Sequence, residues 1–258
     1  MHADWLRPEG LPPQVGAVMS TRHGGLSGPP WASMNLGAAV GDDAASVARN
    51  RQAFAQAIDA MPVFLQQVHG VRVVRLRGGD ARPGAPHQAD ASLATEPGVA
   101  CTVLVADCLP VLFAAPEGCA VAAAHAGWRG LAGGVVEAAL AALCDAAQCG
   151  PADVQAWLGA CIGPRQFEVG ADVLHAFGAD PARPDRLRFV PHVGAGADKW
   201  LANLPQLARD RLYAAGVRRI GGGEWCTVEA ASRFFSYRRD GVTGRMAAAI
   251  WIGRRHRR

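Results

Sequence analysis

Three side chains in this sequence are of types that bind metals or carry out catalysis, and each lies near the end of an apolar run. They are His69 in QQVHG, Cys108 in ADCLP and His125 in AHAGWRG, and each is followed closely by a Gly or Pro turn. Two imidazoles and one thiolate form a ligand set suited to zinc. Three protein ligands also leave the fourth tetrahedral position open for water or substrate, which is typical of catalytic zinc.

The spacing of these residues does not by itself establish a metal site. A lone His in an apolar strand is often a hydrogen-bonded core residue, and a buried Cys often serves packing. Without a metal, Cys108 as nucleophile and His125 as base would make a cysteine hydrolase or deamidase. A small-molecule binding module with a structural metal is a further interpretation. A copper oxidase is disfavoured, because the eight His include no His-x-His pair and no Met lies nearby in the sequence as a weak axial ligand.

The elements that would position these residues alternate between strands and helices along the chain. Apolar runs predict strands at 15–20, at 63–76 with a bend at Gly70, within 91–115, at 118–127 and at 154–163. Helical spacing and cap residues predict helices at 43–59, 129–150, Ala171–Phe177 and Leu204–Ala215, the first capped by Asp42 or Asp43. The segment 232–252 is predicted to form a hairpin with its turn at Asp240–Gly241.

These elements together predict an α+β fold, in which mixed β-sheets pack against helices in one compact domain. Half of the 258 residues are hydrophobic, which is enough for a sizeable core. No break in composition marks a boundary, so we expect a single domain over residues 1–258, with residues 1–14 and 254–258 peripheral.

Composition and charge disfavour several classes of protein. An apolar stretch of about eighteen residues, as a membrane span needs, does not occur, and the first residues do not resemble a signal peptide. A cytoplasmic location is therefore expected, and a monomer is the default expectation for the oligomeric state, which the sequence leaves open. The net charge of +4 comes almost wholly from arginine, and we interpret the basic tail IGRRHRR as a solvated end rather than a nucleic-acid contact. The odd number of cysteines, seven without a CxxC pair, argues against a disulfide framework.

Longer motifs occur in order over nearly the whole chain, from Thr21 to Ile252: TRHGGLSGPPWASMNLG, QVHG, ADASLAT, VADCLPVLF, AAAHAGWRG, WLGACIGP and SYRRDGVTGR. Together they resemble the YfiH family, whose members have also been called laccase domain proteins, polyphenol oxidases and purine nucleoside phosphorylases. The resemblance implies a single mixed α/β domain and a zinc site formed by His69, Cys108 and His125. The same ligand types would also accept copper as an adventitious substitute.

The resemblance also implies two kinds of substrate. One is a purine nucleoside with phosphate, because the family's activities include phosphorolysis of adenosine, inosine and 5'-methylthioadenosine, and deamination of adenosine. The other is a peptidoglycan precursor, from which bacterial members are implied to remove misincorporated residues. The sequence does not distinguish between these two substrates.

Four further residues are candidates for substrate binding or proton transfer. Arg129 begins a predicted helix, whose N-terminal amides favour phosphate. Arg22 in the Gly-rich loop is suited either to a bidentate phosphate contact or to a solvated position in the loop. Asn35 in SMNLG is suited either to a ligand hydrogen bond or to stabilising its own turn. Asp107 is expected on a strand, pointing to the face opposite Cys108, where it would support a metal ligand, serve as general acid or base across a loop, or cap the following turn.

Overall fold

Strands and helices are interleaved, with several strands in succession, along the residues that this computed structural model describes, which are 2–81, 86–192 and 198–254. The strands in chain order are β1 (Val15–Met19), β2 (Met61–Phe64), β3 (Val73–Leu76), β4 (Ala91–Ala94), β5 (Val99–Val105), β6 (Leu109–Ala114), β7 (Val121–Ala126), β8 (Gln155–Leu158), β9 (Glu168–Val169), β10 (Phe189–Pro191), β11 (Trp200–Ala202), β12 (Arg219–Gly222) and β13 (Met246–Ile252). The α-helices are α1 (Ala44–Ile58), α2 (Trp128–Gly133), α3 (Val135–Ala147), α4 (Ala171–Ala176), α5 (Leu204–Ala214) and α6 (Tyr237–Asp240).

The strands of the described residues form two large sheets and one small one. The four-stranded sheet has the order β1-β13-β5-β2, and the six-stranded sheet has the order β12-β8-β6-β7-β4-β3. Both sheets are mixed, since β2 runs parallel to β5 and β3 runs parallel to β4, whereas the central pairs are antiparallel. The small sheet joins β10, β11 and β9.

The two large sheets pack face to face and share an apolar core. Val103 and Ile250 from the four-stranded sheet and Leu112 and Ala123 from the six-stranded sheet are buried in one cluster between them. Alternate residues along β6 and β7 point to the opposite face, so these strands are buried on both sides. Their continuous apolar runs predicted this arrangement, and the prediction is confirmed.

Helices cover the outer faces of the sandwich. Phe54 of α1 packs near Trp251 on the four-stranded sheet, while Leu140 of α3 packs with Val111 on the six-stranded sheet. The layers therefore follow the order α1, four-stranded sheet, six-stranded sheet, α3. The predicted α+β fold with mixed sheets and packed helices is confirmed.

Three predicted helices are confirmed, and one is divided. The Asp43 carboxylate accepts a hydrogen bond of 2.8 Å from the amide of Ser46 and caps α1, and α4 and α5 occupy the predicted ranges. The predicted helix over 129–150 is wrong as a single element. Gly134 adopts a φ of 102° and separates α2 from α3, a backbone conformation that glycine adopts without steric cost.

Two predicted strand segments are also wrong. The region 63–76 contains two strands in different sheets, β2 and β3, joined by a loop that contains His69. The predicted C-terminal hairpin is instead α6 followed by β13, which lies between β1 and β5. The Ser236 hydroxyl accepts a hydrogen bond of 3.2 Å from the amide of Arg239 and starts α6, so the residues before Asp240 do not form a strand.

The chain ends differ in how much the structure describes. Trp5 and Leu6 are buried and Leu6 pairs with Met19, so the N-terminal segment packs against the core at these residues. Of the predicted peripheral C-terminus, residues 255–258 lie outside the described residues. Among the described residues, each helix is too short or too polar to cross a membrane.

Candidate metal centre and its cavity

The loops that carry His69 and Cys108 both cross from the four-stranded sheet to the six-stranded sheet. His69 lies between β2 and β3, and Cys108 lies in the turn between β5 and β6. Because β2 and β5 are parallel neighbours, the loops that follow them leave the same edge of the sheet. His125 lies in β7, where it pairs with Pro110 of β6 and is therefore close to Cys108.

The three side chains meet at this edge. Their ligand atoms all lie within 4.8 Å of one another, and the Cys108 Sγ lies 3.8 Å from the His69 Nε2. The two imidazole rings meet edge to face, with centroids 4.8 Å apart. Ligand atoms around a tetrahedral zinc are about 3.5 Å apart, given Zn–S and Zn–N bonds of about 2.3 and 2.0–2.1 Å. Small side-chain rotations would therefore close this set around one ion.

Gly127 lies directly against two of the three side chains, those of Cys108 and His69, because it has no Cβ. A Cβ at this position would lie 2.8 Å from the Cys108 Sγ and 3.0 Å from the His69 Cδ2. Gly127 has a φ of −62° and is the N-cap of α2. The need for glycine here is therefore one of space rather than of backbone conformation.

Asp90 holds two of the three candidate ligands, and the sequence analysis did not single it out. Its carboxylate is fully buried and accepts a hydrogen bond of 2.9 Å from the His125 Nδ1. It also accepts hydrogen bonds from the amides of Val68, His69 and Gly70, at 3.1, 2.8 and 2.7 Å. An acidic residue directly before the apolar run ASLA was the signal in the sequence, because a buried carboxylate requires partners.

Within this cluster, each charged group favours the charged form of its neighbours. Burial disfavours the Cys108 thiolate, but His125 and His69 outweigh it and lower the Cys108 pKa to about 6. Burial likewise disfavours the His125 imidazolium, but Cys108 and Asp90 raise the His125 pKa to about 9. For Asp90, hydrogen bonds from His125 and the loop amides overcome burial and lower its pKa. Without a metal, these pKa values favour a thiolate beside an imidazolium between about pH 6 and about pH 9.

Asp107 lies in the turn before Cys108 and not on a strand, so the expected strand geometry is wrong. Its φ is 102°, in the left-handed region. Its Oδ1 accepts a hydrogen bond of 2.6 Å from the Thr227 hydroxyl, and its Oδ2 accepts one of 2.7 Å from the amide of Arg238. The carboxylate thus ties the turn at Cys108 to the start of α6.

A cavity of about 970 Å³ opens over the three candidate ligands. Four arginines line it: Arg51, Arg129, Arg238 and Arg245. The arginine ion pairs of the described residues involve other positions, namely Arg165, Arg188, Arg211 and Arg239. Trp128, Phe167 and Tyr237 add aromatic surface to the wall. The cavity therefore combines a positive lining with aromatic rings and a cluster of metal-binding type.

The structure brings Arg129 and Asp107 to the cavity, but not Arg22 or Asn35. The Arg22 guanidinium donates to the carbonyls of Ala32 and Ala231, at 3.1 and 2.8 Å, outside the cavity lining. Asn35 is fully buried, and its side chain bonds the amides of Gly37 and Arg245, each at 2.9 Å. Both residues therefore brace loops.

Arg51 and Arg245 lie in the cavity wall although the sequence analysis missed them. The Arg51 Nε donates to the carbonyl of Leu36 at 2.9 Å, and its guanidinium stacks 4.1 Å from the Phe64 ring centroid. One Arg245 Nη donates to the carbonyls of Thr243 and Gly244, each at 3.0 Å. No local signal distinguishes these arginines, because the wall is formed by segments from distant parts of the chain, with Arg51 in α1 and Arg245 directly before β13.

Comparison with known proteins identifies the family of this chain. The family described as multi-copper polyphenol oxidoreductase laccase matches residues 16–253. A protein of Escherichia coli named purine nucleoside phosphorylase YfiH is 48% identical over 250 residues, which cover 96% of each chain. The chain belongs to the YfiH family. A relative from Pseudomonas aeruginosa, also named a purine nucleoside phosphorylase, is 46% identical and covers 96% of this chain and 98% of its own.

Solved structures of YfiH-like proteins have the same fold. The crystal structure of Neisseria meningitidis protein NMB0706 is 43% identical, with a TM-score of 0.88 over 97% of this chain and 100% of its own. YlmD from Geobacillus stearothermophilus is 33% identical, with a TM-score of 0.87 over 98% of each chain. These likenesses confirm the resemblance to the YfiH family on which the sequence analysis relied.

Proposed function

We propose that this YfiH-family chain is a zinc-dependent purine nucleoside phosphorylase. The observation that carries the proposal is the meeting of His69, Cys108 and His125 at a cavity lined by arginines whose guanidinium groups form no ion pair among the described residues. A metal-capable centre beside an anion-binding wall is what a reaction between a nucleoside and phosphate requires. The names of the relatives from Escherichia coli and Pseudomonas aeruginosa support this choice.

Zinc suits the donor set better than copper. Two imidazoles and a thiolate with an open fourth position are typical of catalytic zinc. A blue copper site would add a weak axial methionine, and the described lining of the cavity contains none. Within 2–81, 86–192 and 198–254, a second cluster of His, Cys and carboxylate ligands, as a multicopper enzyme would need, is also absent. We therefore assign zinc to the centre, with copper as an adventitious substitute.

Phosphate would bind to the arginines of the wall. Arg129 lies in the first turn of α2 and stacks its guanidinium 4.4 Å from the Trp128 ring centroid. Arg245 lies close enough to Cys108 and Asp107 for their charges to oppose the lowering of its pKa by burial. Guanidinium groups bind phosphate in bidentate fashion. We assign Arg245 and Arg129 to the phosphate and give Asp107 the role of positioning Arg238.

The reaction would use these contacts to bring phosphate to the anomeric carbon of the nucleoside. A phosphate oxygen forms a bond to this carbon as the bond to the purine nitrogen breaks, and the free base and ribose 1-phosphate leave. Aromatic side chains such as Trp128 and Phe167 offer flat apolar surface for the purine. Zinc, when bound, supplies a Lewis acid and a water of lowered pKa, which deamination of adenosine requires.

Metal analysis combined with a nucleoside assay tests the proposal. Wild-type protein should contain about one zinc per chain and release hypoxanthine from inosine only when phosphate is added. It should also act on adenosine and 5'-methylthioadenosine, and convert adenosine to inosine. Cys108→Ala should lose both metal and turnover. Phosphate-independent release of base, or none at all, would reject the phosphorylase.

Two observations favour other functions. The low pKa of Cys108 beside His125 also suits a metal-free cysteine hydrolase or deamidase, which would keep its activity after treatment with a strong chelator.

The cavity of about 970 Å³ is at the upper end of the usual range for ligand sites and would admit a larger anionic substrate. A peptidoglycan precursor is such a substrate, and release of an amino acid from it would favour an editing hydrolase.

A further inference from the structure

We propose that Asp90 is a positioning residue that sets the geometry of both imidazole ligands at once. This inference rests on the metal centre of the proposed function, but not on the nature of the substrate. Asp90 precedes β4, and its backbone carbonyl accepts a hydrogen bond of 2.7 Å from the amide of His125 in β7. The hydrogen bonding of the six-stranded sheet therefore fixes the backbone position from which the Asp90 side chain extends.

The carboxylate has its full complement of hydrogen bonds. Oδ1 accepts from the His125 Nδ1 at 2.9 Å and from the amide of His69 at 2.8 Å. Oδ2 accepts from the amides of Val68 and Gly70 at 3.1 and 2.7 Å. A carboxylate offers about four acceptor positions, so one buried group satisfies all four donors. Of these donors, one belongs to an imidazole ligand and three belong to the loop that carries the other.

The loop at His69 depends on this carboxylate because side-chain packing does little to hold it. Gln66, Val68 and His69 are exposed, and Gly70 is half-buried. His69 also has a φ of 61°, a left-handed conformation that is uncommon for residues other than glycine. Three successive amides pointing at one anion form a binding concavity for it. We infer that the anion of Asp90 holds His69 in this conformation.

The same carboxylate selects the form of His125 that can bind a metal. A hydrogen on Nδ1 that is donated to Asp90 leaves Nε2 with a free lone pair, directed at the centre. Carboxylates in this position fix the tautomer and the ring orientation of metal-binding histidines, and their loss lowers metal affinity by about 10- to 100-fold. Asp90 therefore links the orientation of His125 to the position of His69.

The test measures zinc binding rather than turnover. Zinc affinity of Asp90→Asn is compared with wild type by competition against a chromophoric chelator, and we expect it to fall by about 10- to 100-fold. The visible spectrum of the cobalt-substituted variant should also change, because the ligand geometry changes. Asp210→Asn is the matched control, since Asp210 accepts hydrogen bonds from Arg188 and Gln206, at 2.6 and 2.8 Å, outside the cavity lining. It should bind zinc as wild type does.

A second measurement uses the wild-type zinc protein and does not depend on whether a variant folds. Nuclear magnetic resonance should find the neutral His125 ring protonated on Nδ1, and slow exchange of the amides of Val68, His69 and Gly70. Protonation on Nε2, or exchange as fast as in an open loop, would overturn the positioning role. Equal zinc affinity in wild type and Asp90→Asn would also overturn the positioning role, but it would leave the proposed metal centre unaffected. If wild-type protein binds no zinc, both the proposed metal centre and the positioning role of Asp90 are rejected.

Discussion

Cys108 and His69 lie 39 positions apart in the sequence, yet the Cys108 Sγ is 3.8 Å from the His69 Nε2. Each residue belongs to a connection between the same two sheets, and the strands that precede these connections are parallel neighbours. This contact joins the two layers of the sandwich at one edge. Removal of either partner should therefore affect the metal centre without removing an apolar core residue.

The first prediction concerns the thiolate ligand. Cys108→Ser should reduce bound zinc from about one per chain to near zero after dialysis, because a hydroxyl is a far weaker zinc ligand than a thiolate. Cys119→Ser is the control, since Cys119 is an exposed free cysteine, and its zinc content should match wild type. Zinc retained in Cys108→Ser after dialysis would exclude the sulfur as a ligand.

The second prediction concerns the space beside the centre. Gly127→Ala would place a methyl group 2.8 Å from the Cys108 Sγ and 3.0 Å from the His69 Cδ2, so both side chains must move. Zinc affinity should fall by at least about 10-fold, as when ligand orientation is disturbed. Gly28→Ala provides the comparison, because a Cβ at Gly28 meets nothing within 4 Å. Similar zinc affinities in the two variants would contradict the crowding argument.

The third prediction concerns the stability of the metal-free protein at different pH values. The Cys108 pKa is lowered to about 6 by its histidine neighbours despite burial, so its contribution is lost as the pH falls through 6. The His125 pKa is raised to about 9 by Cys108 and Asp90 despite burial, so its contribution is lost as the pH rises through 9. Thermal unfolding of metal-free protein should show this pair stabilising the fold between these limits.

Comparison with Cys108→Ala isolates the contribution of the pair, because the variant has no thiolate to pair with His125. The difference in melting temperature between wild type and variant, both without metal, should be largest between about pH 6 and about pH 9. A difference that is constant over this range and beyond it would show that the two groups do not form an ion pair.

The fourth prediction concerns the proposed phosphate contact. Arg245→Gln should raise the KM for phosphate by roughly 10-fold or more, because a hydrogen bond to a charged group contributes about 1.5–3 kcal/mol. The KM for inosine should change much less. Arg75→Gln is the control, since Arg75 lies on β3 and donates to the Thr95 hydroxyl at 3.0 Å, outside the cavity lining. An unchanged KM for phosphate in Arg245→Gln would remove Arg245 from the phosphate site.

Local patterns predicted the elements well where local physics decides them. Asp43 caps α1, and the apolar runs of β6 and β7 are buried on both faces. The break at Gly134 was missed, because a glycine inside a helical pattern is compatible with either a continuous or a divided helix. The C-terminal segment was wrongly assigned to a hairpin. The signal at Asp240–Gly241 suits a hairpin turn and the end of a short helix equally well, and the structure has the helix.

The candidate site was predicted only in part, because local patterns identify single residues but not the contacts between distant ones. His69, Cys108 and His125 were recognisable from residue type and family motifs, and the structure brings them together. Asp90 was not, because its role depends on donors from a loop and a strand that are remote in the chain. Arg245 likewise lines the cavity only because β13 lies beside β5, whose end leads to Cys108.

The sequence by itself determined which residue types are present, most of the helical and extended segments, and the family to which the motifs belong. Only the tertiary structure decided that His69 and Cys108 face one another, that Asp90 holds both imidazoles, and that the arginines surround them. The physical reason is that helix caps and apolar periodicity act between neighbours in the chain. The pairing of β2 with β5, which brings two distant loops to one edge, arises from backbone hydrogen bonds that carry no local sequence signal.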